Sequence, residues 1–221
     1  MDWYLFFKLM VFLTSELWFP HPRHADESGI LAVGGDLSAE RLILAYRNGI
    51  FPWYNENEPI LWWSPEERMV LFPEKLHISK SMRPLLNQKK FEVTFNQAFE
   101  QVIKACAATP RKGQNGTWLS DQMMNAYINL HQKGYAHSVE AWQDNELVGG
   151  LYGIYLKSYG VFCGESMFAH QSNASKYAFI KMIEYYKSKG LKLVDCQIYT
   201  RHLERLGAET IDRKRFLNFL K

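Results

Sequence analysis

Residues 136–168 read AHSVEAWQDNELVGGLYGIYLKSYGVFCGESMF. Three strand-like runs are visible: 136–143, 146–156 and 158–168. Asp144-Asn145 between the first two is a two-residue hairpin signal. The three runs therefore read as antiparallel neighbours. Downstream, SNASKYAFIKMIEYYKSKG (172–190) predicts a long helix with Gly190 at its C-terminal end. LKLVDCQIY (191–199) is a further strand, RHLERLG (201–207) is helical, and RKRFLNFL (213–220) closes the chain.

Upstream, LSDQMMNAYINLHQKG (119–134) predicts a helix capped by Ser120, with a stripe at Met124, Tyr127, Ile128 and Leu130 and a stop at Gly134. Before it come QAFEQVIKACAAT (97–109), an amphipathic helix ended by Pro110, and the alternating strand FEVTFN (91–96). ISKSMRPLL (78–86) reads as one or two helical turns stopped near Pro84, and MVLFP (69–73) as a short strand. Strand, helix, helix, three antiparallel strands, helix, strand, helix is an α+β order.

Residues 16–73 have another texture, rich in Pro, Trp and Gly. Ser38 is an N-cap for a helix with Leu42, Ala45 and Tyr46 at helical spacing and Gly49 as its stop. The Pro-rich aromatic stretch after it reads as turns and short strands. We place a small domain at 1–64 and a larger one at 65–221. The apolar run from Trp3 to Leu13 has Asp2 where a signal peptide has basic residues, and it is shorter than the roughly 20 residues that span a bilayer. It reads as a buried strand or short helix, and no membrane role is expected.

Composition narrows the function classes. Of 221 residues, 47% are apolar and 22% charged, so the chain can bury a core without disulfides. The net charge of +3 permits a polyanionic partner without demanding one, and excludes a histone-like binder. Cys106, Cys163 and Cys196 are widely spaced with no CxxC pair, which points to a reducing compartment. No HxxxH or HExxH pattern occurs, so no metal site is expected.

Four constellations could carry chemistry. On a strand, alternate side chains share a face. In LVDCQIY (193–199) this aligns Asp195, Gln197 and Tyr199 opposite Val194, Cys196 and Ile198, which suggests either a lined cleft or a sheet face in water. In FCGESMF (162–168), Glu165 sits among apolar residues, so it must pair, with Lys176 one candidate, face a cleft, or raise its pKa. Trp53, Trp62, Trp63 and Trp118 fall in turn-rich segments, where tryptophan suits stacking on nucleobases or ordinary packing; for Trp62 and Trp63 packing is favoured. Lys80, Arg83, Lys89 and Lys90, and Arg111 with Lys112, form clusters suited to phosphates or to a solvated face.

A resemblance draws these together. GGDLS, AYRNGIFPWY, PILWWSP, LHISKSM, GTW, AHSVE, ELVGGLYG, FCGESMF, NASK and DCQ follow one another in that order. The sequence so resembles the leucyl/phenylalanyl-tRNA–protein transferase family from about Phe19 to Leu220. The resemblance implies a small N-terminal domain before a C-terminal domain like the GNAT acetyltransferases, with a mixed, mainly antiparallel sheet. It implies transfer of Leu or Phe, with Met a further candidate, from aminoacyl-tRNA to the α-amine of proteins beginning with Arg or Lys. The product it implies is an N-degron, and the location it implies is cytoplasmic, in agreement with the cysteines. The donor ester is already activated, so no cofactor is expected.

By position, the resemblance assigns Trp53 and Trp118 to the terminal adenosine of the tRNA, and Lys80 and Arg83 to its acceptor stem. Phe162, Met167 and Val194 would form the pocket for the donor side chain, with Leu151, Phe179 and Met182 as neighbours. Glu165, Asp195 and Gln197 would form the catalytic and acceptor-binding polar group. Asp195 would accept a hydrogen bond from the acceptor amine, directly or through Gln197. An ordinary acetyl-CoA enzyme would want a Gly-rich turn before the long helix, where this chain has HQSNASK.

Overall fold

A computed structural model describes residues 11–109 and 119–221. Two sheets organise the chain. The smaller contains β1 (Val11–Leu13), β2 (Ile30–Gly34), β3 (Phe51–Pro52) and β4 (Leu61–Trp63), in the order β1-β2-β4-β3. Helix α1 (Ala39–Arg47) lies between β2 and β3, and its N-cap Ser38 accepts from the Arg41 N–H. Gly49 follows it with φ of 71°, a left-handed conformation that stops a helix cheaply only when glycine supplies it.

The larger sheet has seven strands. They are β5 (Glu67–Leu71), β6 (Glu92–Phe95), β7 (Ala136–Gln143), β8 (Glu146–Leu156), β9 (Val161–Ala169), β10 (Leu193–Gln197) and β11 (Glu209–Asp212). Their order is β11-β5-β10-β9-β8-β7-β6. All neighbours are antiparallel except β9 and β10, which run parallel. Helix α2 (Met82–Asn87) follows β5, α3 (Phe99–Ala108) and α4 (Asp121–Gln132) follow β6, and α5 (Ala174–Lys187) connects β9 to β10. Two short helices, α6 (Arg201–Glu204) and α7 (Arg213–Leu217), complete the chain. An antiparallel meander, a long crossover helix and a parallel strand make the GNAT-like arrangement that the resemblance implies.

Several expectations change in detail. Pro84 does not stop the helix near it: α2 runs on to Asn87. Pro84 sits in the first turn, where N–H groups have no intrahelical partner and proline costs little. Of the apolar N-terminal run, Val11–Leu13 pairs with β2 as a strand, and the rest lies outside the described residues. Among the described residues, no helix is long and apolar enough to cross a membrane.

The core has a side on each face of the large sheet. One face carries Val70, Tyr152, Ile154 and Cys163 against α3, α4 and the small sheet. The other carries Leu71, Leu151, Phe162 and Val194 against α5. That helix buries Tyr177, Ala178, Phe179, Ile180, Met182, Ile183 and Tyr186, a wider apolar surface than a surface helix shows. It seats closely because β8 has Gly149 beneath it: a Cβ there would lie 2.6 Å from the Ala174 Cβ.

Candidate active site

The parallel pairing of β9 and β10 ends at Cys163 opposite Asp195. Beyond that point both strands depart from regular geometry. On β9, Ser166 faces Tyr152 and Gly164 faces Gly153, so Glu165 is an extra residue in a bulge. Gly153 makes this possible: a Cβ on it would lie 2.2 Å from the Cys163 carbonyl oxygen. On β10, Asp195 faces Val70 and Gln197 faces Met69, so Cys196 is the extra residue. Bulges beside a gap re-aim side chains, and these two bulges flank one gap.

A cavity of about 500 Å³ opens there. Its apolar end is bounded by Leu151, Phe162, Met167, Phe179, Met182 and Val194, from three strands and α5. Phe179 and Met182, three apart, lie on one face of that helix. The small sheet supplies another wall through Phe51, Pro52 and Trp53. Glu165 and Gln197 border the same space, as do Cys196, Ile198, Thr200 and His202.

Hydrogen bonds link the polar groups across the gap. Gln197 Nε2 donates to Glu165 Oε1 at 2.8 Å. The Tyr127 hydroxyl donates to Glu165 Oε2 at 2.8 Å, and the Tyr46 hydroxyl is hydrogen-bonded to that of Tyr127. Both tyrosines are buried. Burial pushes the Glu165 carboxyl up to about 7, although its bonds from Tyr127, Tyr46 and Gln197 work the other way.

Asp195 is held differently. It is fully buried, and Arg68 Nε and Nη2 reach Oδ1 and Oδ2 at 2.7 and 2.6 Å. Its Oδ1 also accepts the Gln197 backbone N–H at 2.9 Å. Gln197 has φ of 63°, a left-handed conformation that costs a non-glycine residue roughly 1–2 kcal/mol. The local Asp195 bond offsets part of that cost, as in an Asx turn.

Strict alternation along β10 therefore fails. Val194, Cys196 and Ile198 do border the cavity, and Asp195 points to the other face. Gln197 does not stay with Asp195, because the bulge turns it into the cavity as well. Tyr199 is exposed and bonds Glu204, so it takes no part in a polar row. Asp195 does not border the cavity, and Arg68 occupies both its oxygens. In this geometry Asp195 is not open to the direct hydrogen bond expected from an acceptor amine.

The remaining sequence candidates are spread out. Trp53 is half-buried, with its ring 5.3 Å from that of Trp63, whose Nε1 donates to the Trp53 carbonyl. Trp62 is wholly buried and donates to the Gly34 carbonyl, an ordinary core role. Lys80 and Arg83 are exposed, and Arg83 lines a separate surface groove with His77, Asn87 and Lys181. Trp118 and its basic loop lie outside the described residues. Lys176 bonds Asn173 and is not among the Glu165 partners.

Sequence reasoning missed Arg68, Tyr46, Tyr127 and His202. In the sequence Tyr127 is marked only as part of a helix stripe. Arg68, within the run ERMVL, carried a signal: an arginine inside an apolar strand needs a partner.

Comparison with known proteins adds an independent line. The sequence model of the leucyl/phenylalanyl-tRNA protein transferase family matches residues 70–221, and that of the family's N-terminal domain matches residues 35–66. A leucyl/phenylalanyl-tRNA–protein transferase of Christiangramia forsetii is 60% identical, over 96% of this chain and 100% of its own length. One of Flavobacterium johnsoniae is 58% identical, over 96% of this chain and 99% of its own. Among solved structures, a metagenomic aminoglycoside acetyltransferase aligns with a TM-score of 0.39 and 16% identity, over 51% of this chain and 80% of that one.

Proposed function

The chain belongs to the leucyl/phenylalanyl-tRNA–protein transferase family, and from that premise we propose how its cavity performs the reaction. The enzyme moves leucine or phenylalanine from aminoacyl-tRNA to the α-amine of a protein beginning with Arg or Lys, making an N-degron. The observation that carries this reading is the joining of two unlike surfaces in one cavity. An apolar end made by Phe162, Phe179 and Met182 suits the donor side chain, and Glu165 with Gln197 offers polar atoms beside it. Trp53 on the wall suits the terminal adenosine, by stacking. The exposed Lys80 and Arg83 suit phosphates of the acceptor stem.

The bond formed is between the acceptor nitrogen and the ester carbonyl carbon. The bond broken joins that carbon to the ribose oxygen, which leaves with a proton from the neighbouring 2′-OH, and the proton lost by the amine passes to that 2′ oxygen, so the products are an amide and an intact ribose diol. A free α-amine has a pKa of about 7.7–8.0, so part of it is neutral without help. The protein's contribution is then mainly orientation. Gln197 Nε2 is committed to Glu165, so its Oε1 is the atom that accepts from the amine. Glu165 holds that amide in place through one oxygen and is itself held through the other by Tyr127. Of the two carboxylates, Glu165 alone borders the cavity, so it also meets the cation of the acceptor side chain. Asp195 acts by fixing Gln197.

The test is direct. Leucyl- or phenylalanyl-tRNA and a peptide beginning with Arg are incubated with the enzyme and read by mass. One added leucine or phenylalanine at the peptide N-terminus is expected; a peptide of unchanged mass overturns the reading.

A further inference from the structure

We infer that Arg68 is a positioning residue for the transfer reaction, acting through Asp195 on Gln197. The inference rests on the transferase reading above. Arg68 is buried on β5, outside the cavity lining. Its guanidinium is engaged on every side. Nε and Nη2 hold both oxygens of Asp195, Nη1 donates to the Gly49 carbonyl at 3.3 Å, and the rings of Phe51 and Phe216 each lie 4.6 Å from Cζ. These partners come from β10, from the small sheet and the turn before it, and from α7.

Stability alone gives a weak reason for such a pair. Buried ion pairs replaced by apolar residues of similar volume are often no less stable. Apolar residues cannot, however, fix a carboxylate oxygen in space. The Oδ1 held by Arg68 Nε is the same oxygen that accepts the Gln197 N–H. That bond supports the left-handed bend at Gln197, and the bend carries the amide to Glu165. The planar fork of arginine sets the carboxylate's rotation, which a lysine ammonium does not. Phe51 also borders the cavity, so the same guanidinium ties the small sheet's wall to β10.

Arg68→Lys keeps the charge and removes the fork. The wild-type and variant enzymes are compared in transfer from phenylalanyl-tRNA to an Arg-start peptide, with thermal midpoints measured alongside. We expect a folded variant whose kcat falls at least tenfold while its KM for the charged tRNA stays within twofold. In an Asp195→Asn background, Arg68→Lys should lower kcat less than twofold further, because the two residues act as one unit. A folded Arg68→Lys enzyme with normal kcat, or one that multiplies the loss in the Asp195→Asn background, overturns the inference. If Arg68→Lys does not fold, Phe216→Leu decides. It leaves the ion pair and removes one face of its support, so kcat should fall about threefold at constant KM, and an unchanged kcat overturns the inference. A wild-type enzyme without transfer activity would defeat the transferase reading instead, so the two failures are distinct.

Discussion

The two sides of the gap hold carboxylates in opposite ways. On β10, Asp195 is sealed from the cavity and neutralised by a fork of two short bonds from Arg68. On β9, Glu165 borders the cavity and takes only neutral donors, a phenol and an amide, at 2.8 Å. With no cation among those donors, burial lifts its pKa to about 7. Asp195 is thus turned from the cavity and held by a cation, and Glu165 changes protonation in the pH range where the acceptor amine does. Gln197 joins them, through its backbone N–H on one side and its side-chain amide on the other.

The largest expected effect separates the two by stability. Asp195→Leu leaves the buried Arg68 charge without a partner, which costs about 3–5 kcal/mol. For a chain of this size, that lowers the thermal midpoint by roughly 6–20 °C. Glu165→Gln keeps a polar group for both donors and should change unfolding free energy by less than about 1 kcal/mol. Denaturant unfolding measures both. Equal losses would abolish the distinction between a structural and a working carboxylate.

The residue that joins them comes next. Gln197→Leu removes the amide bridge and leaves the Arg68–Asp195 pair intact. Transfer should fall about a hundredfold at saturating charged tRNA, the scale associated with misplacing reacting groups by about 1 Å. The unfolding midpoint should move little. A folded Gln197→Leu enzyme at normal rate would remove Gln197 from the reaction.

Most element types and the antiparallel run of β7, β8 and β9 were legible because the meander, the long helix and the following strand carry strong local patterns; the place of β5 between β10 and β11 was not. The hairpin at Asp144-Asn145 lies where the two residues announce it, and β7 and β8 have the bounds read from their sequences. The six apolar residues assigned by resemblance converge on one cavity. The bulge at Cys196 was not legible, because period-two alternation assumes a regular strand and no glycine marks it; the bulge at Glu165 had a mark in the adjacent Gly164, since an isolated glycine within a strand signals a bulge. The Arg68–Asp195 pair joins residues 127 apart, so no local pattern could reveal it. Tyr46 and Tyr127 sit at helical core spacing, where a hydroxyl looks the same as a phenylalanine's edge.

The pH dependence sharpens the comparison further. Both Glu165 oxygens accept hydrogen bonds that hold the site, and a protonated carboxyl accepts them more weakly than a carboxylate does. Transfer should therefore rise as Glu165 ionises through about 7, and again as the acceptor amine loses its proton. Between pH 6 and 8 the ionised fraction of Glu165 changes about tenfold, so wild-type kcat should gain that factor over Glu165→Gln across the range. Stability moves the other way. A carboxyl raised in the folded state contributes stability that is fully present below its unfolded value, about 4.3, and lost as pH rises through about 7. Raising pH from 5 to 8 should therefore destabilise the wild type relative to Glu165→Gln. Parallel pH–rate profiles for the two enzymes would show that Glu165 does not titrate in the reaction.

The smallest effect tests what sets that value. Tyr127→Phe removes one hydrogen-bond donor from Glu165 and leaves the cavity lining, Gln197 and the Arg68–Asp195 pair in place. A hydrogen bond to a charged group is worth about 1.5–3 kcal/mol, and one pKa unit corresponds to about 1.4 kcal/mol. Losing the bond disfavours the ionised form, so the apparent pKa should rise by about one unit, from about 7 toward 8. The acid limb of the pH–rate profile should move up with it, while the rate at pH 9 stays near normal. Tyr46 loses its bond to the Tyr127 hydroxyl in the same variant, which adds roughly 0.5–1.5 kcal/mol of destabilisation. That cost appears in unfolding and not in the position of the acid limb, so the two consequences separate. A limb that stays put in a folded Tyr127→Phe enzyme would mean that burial alone governs Glu165.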